Sequence, residues 1–152
     1  MNQLDIQIAT VAGGLPDRRK FQQWVDQALA DVDTDTEIVI RIVDAAESAE
    51  LNEQYRHKQG PTNILSFPFE APPGIEMPLL GDLLVCAPVV AEEARQQQKK
   101  PYDHWAHIVV HGVLHLLGYD HIEETQAERM EALEIKILQH LNIQNPYLED
   151  ND

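Results

Sequence analysis

The stretch that most constrains this chain is HGVLHLLGYDH, from His111 to His121. On a helix, His111 and His115 lie one turn apart, displaced by roughly 6 Å along the axis and about 40° around it, so both imidazoles can converge on one point. Gly118 can adopt the left-handed backbone that ends a helix, and the returning chain then carries His121 toward the same point. Three neutral imidazoles with a fourth tetrahedral position open are the donor set of a catalytic zinc site. The fold must therefore supply a helix, a stop and a return. His111, His115 and His121 are the candidate ligands of one zinc ion per chain.

Seven histidines are present, so the others need weighing. His107, His111 and His115 form one stripe, but His107 and His115 are about 12 Å apart along a helix axis. Two nitrogens on one zinc lie only about 3.4 Å apart, given Zn–N bonds near 2.1 Å. Only neighbours in the stripe can share an ion, and only the pair His111 and His115 is followed by a glycine and a further histidine. His107 then reads as an outer partner or a core residue. His57, His104 and His140 have no metal-like spacing; His57, beside Arg56, is within reach of a substrate, and its plainer role is a solvated side chain. Gly112 costs a helix about 1 kcal/mol relative to alanine, so close packing or a close ligand is expected there. Asp120 suits a cap or the outer partner of a ligand imidazole. Asp82 is a carboxylate in an apolar run, where it needs a hydrogen-bonding partner or a loop-end position.

A chain of 152 residues with 43% hydrophobic residues is expected to form one globular domain over 1–152. Its net charge of −15 makes the whole surface a poor counter-ion for nucleic acid or an anionic membrane. A polyanion must instead meet a local basic group: Arg18 to Lys20, Arg56 with Lys58, or Arg95 with Lys99 and Lys100. No segment approaches the roughly 18 apolar residues of a membrane span, and residues 1–10 have no leader-like pattern, so a soluble cytoplasmic protein is expected. Cys86, the one cysteine, follows Leu83, Leu84 and Val85, which predicts an inert buried thiol.

Leu4, Ile6 and Ile8 alternate as in a half-buried strand. Pro16 suits the first turn of an amphipathic helix carrying Phe21, Trp24, Val25, Ala28 and Leu29. Residues 37–43 are a β-branched strand, and Asp44 with Glu47 has capping-box spacing for a helix to about Arg56, with Leu51 and Tyr55 inward. The strand at 63–67 runs into Pro68, which favours a sheet edge. The proline-rich loop 71–78 is placed to border a cleft, and 79–86 is the most apolar and central strand. Helices follow Pro88 and Pro101, and a last helix with Thr125 and Glu128 as capping box buries Met130, Leu133, Ile137, Leu138 and Leu141. The tail after Asn142 is polar, acidic and expected to fray. The order β-α-β-α-β-β-α-α-α predicts an α+β domain with one small mixed sheet and packed helices.

The histidine spacing matches HExxHxxGxxH of the metzincin peptidases except at Gly112, where those enzymes place the glutamate base. The methionine turn is also missing, since Met130 falls on a predicted helix. HGVLHLLGYDH, NILSFPFE at 63–70, LGDLLVC at 80–86 and RIVDAAESAELNEQYR at 41–56 together closely resemble the YbeY family of bacterial endoribonucleases. The resemblance covers nearly the whole chain, with every fixed position of the signature HGxLHLxGxDH present. It implies a zinc-dependent, single-strand-preferring endoribonuclease of ribosomal RNA maturation, including 16S processing, and of ribosome quality control. It also implies zinc on His111, His115 and His121, Arg56 in the catalytic cleft, and single-stranded or ribosomal RNA, the ribosome and its associated proteins as partners. Arg56 offers a planar cationic fork for a phosphate, and a scissile phosphate held between zinc and Arg56 is the expected arrangement. A compact zincin peptidase, and a ribosome-associated factor with a structural zinc, are the alternatives.

Overall fold

The computed structural model describes residues 1–119 and 123–147, so Asp120 and His121 of the motif lie outside the described residues. The elements are β1 (Asn2–Ala9), α1 (Arg18–Ala28), β2 (Thr36–Val43), α2 (Ala45–Arg56), β3 (Ile64–Pro68), β4 (Leu79–Cys86), α3 (Ala87–Gln96), α4 (Pro101–Leu116) and α5 (Glu124–His140). The strands form one sheet in the order β1-β2-β4-β3. β1 with β2 and β2 with β4 are parallel, while β3 runs antiparallel to β4. This is the α+β fold with a small mixed sheet that the element order predicts. β4 is central and β3 lies at an edge, as expected.

Alternation in β2 sends Ile38, Ile40 and Ile42 to one face, where they join Leu83, Val85 and the apolar sides of α1 and α4 in the main core. Phe21 of α1 packs edge-on against Trp24 at 5.4 Å and against Trp105 of α4 at 5.7 Å. A smaller cluster of Val43, Leu65, Leu84 and Cys86 packs with Leu51 of α2. Cys86 is buried as expected, and desolvation pushes its thiol up. α4 is buried along most of its length, from His104 to Leu116, and contacts α1, α3, α5 and the sheet. No helix among the described residues is long and apolar enough to cross a membrane.

Several local expectations are corrected. α1 begins at Arg18, two residues beyond Pro16, because the Asp17 side chain accepts from Lys20 N. Neither capping box forms. Asp44 is the N-cap of α2 but its carboxylate instead accepts from Thr10 Oγ1 and Val11 N, and Glu47 is drawn to Arg41 at 2.7 and 3.0 Å. α5 starts at Glu124, leaving Thr125 inside the helix, and its N-cap Glu123 makes no side-chain cap. Tyr55 is 57% exposed rather than inward, because the buried side of α2 is made by Ser48 and Asn52. Asp82 lies mid-strand, not at a loop end, and is exposed. The tail does not fray at Asn142: Ile143 N bonds Leu138 O at 2.8 Å and Lys99 Nζ donates to Pro146 O at 3.0 Å.

Two glycines set how closely layers approach. A Cβ on Gly112 would meet Ile64 Cδ1 at 2.5 Å and Leu83 Cδ2 at 2.9 Å, so its place in α4 is explained by packing on the sheet. Gly81 stands beside an irregularity where β4 carries one extra residue against β2, and its φ is +147°. A Cβ there would overlap the Phe67 carbonyl oxygen and lie 2.8 Å from Leu116 Cδ2. Gly81→Ala is therefore expected to destabilise the fold by about 3 kcal/mol through backbone strain and overlap. Urea denaturation measures it, and a loss below about 0.5 kcal/mol would contradict the close approach.

Candidate functional site

α4 carries His107, His111 and His115 one turn apart, and its end fixes how the last of them is held. Gly118, at φ +102°, closes the helix with Gly118 N bonded to His115 O at 3.0 Å and Tyr119 N to Leu114 O at 3.1 Å. This pair of bonds is a Schellman motif, the stop that Gly118 predicts. His111 Nε2 and His115 Nε2 face each other at 3.0 Å. That separation is close to the spacing of about 3.4 Å expected for two nitrogens on one zinc. His121 lies outside the described residues.

The same helix face meets a carboxylate from α5. Glu134 is 0% exposed, with Oε1 2.7 Å from His111 Nδ1 and Oε2 2.9 Å from His107 Nε2 and 2.7 Å from Tyr147 Oη. Burial alone would raise the Glu134 pKa, but the hydrogen bonds donated by His107, His111 and Tyr147, with the electrostatic attraction of the His111 ring, outweigh it and hold the carboxyl down at about 2. Burial in turn lowers the pKa of His107 and raises that of Tyr147, each against a contribution or with one from Glu134. Among the described residues, His107, His111 and Glu134 bring one ligand atom each within 4.8 Å of one another and could hold a metal ion. Sequence reasoning missed Glu134 and Tyr147. The signal for Glu134 was present, since it interrupts the apolar stripe between Met130 and Ile137 and Leu138 on α5.

Above the imidazoles opens a cleft of about 790 Å³. One wall is β3 with Asn63, from Ile64 to Pro68; the floor is His111 and His115; Gly118 and Tyr119 close one end and Tyr55 and Arg56 the rim. Arg56 is the last residue of α2, and the turn after it is pinned back by Asn52 Nδ2 to Gly60 O at 2.9 Å and by Ser48 Oγ to Thr62 O at 3.0 Å. Arg56 is exposed and has no ion-pair partner among the described residues. The described lining contains no Asp or Glu, so Arg56 is its one formal charge. Lys58 and the loop 71–78 do not line this cleft; β3 takes the place expected of the loop. Exposed Tyr55 rests edge-on against Phe67 at 5.2 Å, both in the lining.

Behind β3 lies a second polar layer. Asn63 Nδ2 donates to Glu93 at 3.2 and 3.3 Å, and buried His104 Nε2 lies 2.9 Å from Glu93 Oε1. His104 thus has a structural carboxylate partner, while His57 and His140 are solvated.

Fold and site define an α+β protein with an imidazole-floored cleft whose described rim is cationic, a site suited to an anionic substrate. The model of the family described as Endoribonuclease YbeY matches residues 10–142, and the chain belongs to that family. The matched span contains every described residue of the cleft and Glu134. Family membership supports an RNA-cleaving hydrolase of ribosomal RNA processing. The solution structure of TM1509 from Thermotoga maritima is similar in fold, at 24% identity over 96% of this chain and 97% of that one, with a TM-score of 0.59.

Desolvation raises the pKa of Glu93, but His104 and Asn63 donate to it and its carboxyl is held below the ordinary value of 4.5. The folded state therefore favours ionised Glu93; its contribution to stability is complete above pH 4.5 and is lost as pH falls through the depressed value. Glu93→Gln is expected to melt below wild type at pH 7, with the gap shrinking in acid. Melting curves from about pH 7 to 3 test this, and a gap that stays constant over that range would refute it.

Proposed function

We propose that this chain is a zinc-dependent, single-strand-preferring endoribonuclease of ribosomal RNA maturation, including 16S processing, and of ribosome quality control. It acts in the cytoplasm with the ribosome and ribosome-associated proteins as partners. His111, His115 and His121 hold one zinc ion, and Arg56 is the catalytic residue that engages the scissile phosphate. The observation that carries this reading is the facing pair of Nε2 atoms, 3.0 Å apart, on the floor of a cleft rimmed by Arg56. Two converging imidazole nitrogens are a borderline donor set well matched to zinc. When bound, zinc supplies a Lewis acid that polarises a phosphoryl oxygen and acidifies water.

The chain's own groups do the rest. Arg56 donates through a planar fork, which suits two oxygens of one phosphate, and its charge opposes the negative charge that grows as the phosphodiester is attacked. Its place at the end of a pinned helix limits the reorganisation needed to make that contact. The Tyr55 and Phe67 rings beside it offer faces on which unpaired bases can stack, a contact that a base inside a duplex cannot make. An acidic chain can handle RNA here because the described cleft lining excludes carboxylates.

The same lining disfavours a peptidase, since Gly112 packs on the sheet where a zincin base would stand and no described lining residue replaces it. A purely structural zinc is disfavoured by the open cleft and by an imidazole pair without a cysteine ligand. Incubation of purified protein with single-stranded and structured RNA is expected to show chelator-sensitive cleavage of the former, absent in His111→Ala and His115→Ala. Arg56→Ala is expected to cut the rate by about 10² to 10³-fold. Unchanged cleavage by Arg56→Ala, with none by His115→Ala, would remove the phosphate from Arg56.

A further inference from the structure

Three donors meet on one carboxylate that has no contact with solvent. An ionised carboxylate only accepts hydrogen bonds, so each neighbour of Glu134 must bring a proton. Tyr147 Oη donates at 2.7 Å, His107 Nε2 at 2.9 Å and His111 Nδ1 at 2.7 Å. Neutral imidazole carries one ring proton, so a proton on His111 Nδ1 leaves its Nε2 as a lone pair. That atom is the one turned to His115 Nε2 at 3.0 Å.

We propose that Glu134 is a positioning residue that locks His111 in the Nδ1–H tautomer and so presents its Nε2 lone pair toward a bound metal, while Tyr147 and His107 hold the carboxylate in place. The inference rests on the reading of His111 as a metal ligand. It also resolves the cluster of His107, His111 and Glu134. Distances of 2.7 and 2.9 Å between its atoms are those of hydrogen bonds, and they use the Nδ1 face of His111, leaving the opposite face for the ion.

The carboxylate is held between α4 and the segment that follows its own helix. Glu134 comes from the middle of α5, and Tyr147 returns from beyond its C-terminus after the chain reverses at residues 141–143. Lys99, in the connection before α4, donates to Pro146 O at 3.0 Å and holds that return against the body of the protein. The segment after α5 thus becomes part of the support of the site. Such outer partners of metal-binding histidines change metal affinity by about 10 to 100-fold when removed.

An amide keeps the shape of Glu134 and loses the donor-free acceptor pair. In Glu134→Gln, Oε1 or Oε2 becomes an NH₂ group, which cannot receive the proton of its neighbour. With the oxygen serving His107 and Tyr147, the NH₂ group faces His111 Nδ1 and drives the ring proton to Nε2, the position the metal needs.

Zinc affinity measured by competition with a chromophoric chelator is expected to fall about 10 to 100-fold in Glu134→Gln. Nitrogen-15 NMR of the metal-free proteins is expected to show His111 as Nδ1–H in wild type and as Nε2–H in the variant. RNA cleavage by Glu134→Gln should recover as zinc is raised; zinc bound to the folded state would also rescue a merely destabilised protein, so the His111 tautomer is the readout that separates the two. Unchanged zinc affinity in a folded Glu134→Gln, or an Nε2–H tautomer of His111 in the wild-type protein, would overturn the proposal. The wild-type tautomer decides the matter even if the variant fails to fold. Wild-type protein with the Nδ1–H tautomer but no zinc affinity would instead overturn the metal reading on which the proposal rests.

Discussion

The approach of α4 to the sheet at Gly112 is the contact on which the rest of the structure depends. With no Cβ in the way, Ile64 of β3 and Leu83 of β4 press their side-chain ends into the helix. Fully burying side chains of this size is worth about 1.5 to 3 kcal/mol each, so the helix is seated firmly. Its depth decides how far the edge strand stands from the histidine face, and therefore the width of the cleft between them. A helix held one side chain farther out would carry the same imidazoles past the wall that they face. Glycine costs α4 some intrinsic helicity, and the tight layer offsets that cost.

Charge is distributed with a similar economy of position. The chain is strongly acidic, yet two carboxylates beside α4 are engaged by its imidazoles. Glu93 is enclosed by Asn63 and His104, and Glu134 by His107, His111 and Tyr147. Each is held below the ordinary carboxyl pKa by donors, Glu134 wholly buried and Glu93 partly so, and neither lines the described cleft. Arg56, by contrast, is left without an ion-pair partner among the described residues at the rim. A surface pair such as Arg95 with Glu92 contributes little by comparison, being exposed and screened.

Much of this was legible in the sequence because it rested on periodicity and spacing. The alternation of β2, the apolar run of β4, Pro68 at the sheet edge and the stop at Gly118 each express a local rule, and the fold follows them. What failed was reasoning about where polar groups find partners. Asp44 and Glu47 have capping spacing, but Thr10 and Arg41 reach them from elsewhere in the chain. Tyr55 looks like a core residue by spacing, while Ser48 and Asn52 take the buried face because the 60–62 backbone needs their hydrogen bonds. Glu134 escaped notice although a carboxylate inside an apolar stripe is a conspicuous anomaly; its partners come from another helix and from a tail whose composition suggests fraying.

The termination of α4 directly after His115 has an electrical consequence. The peptide dipoles of this 16-residue helix add to a partial negative charge of about half an electron at its C-terminal end. The effect is felt within the last turn, which is the turn that bears His115 and adjoins His111. The backbone itself therefore favours a cation at the place to which these side chains converge, before any side-chain charge is counted. Gly118 sets where that field ends, and so the stop signal of the helix also positions its negative pole.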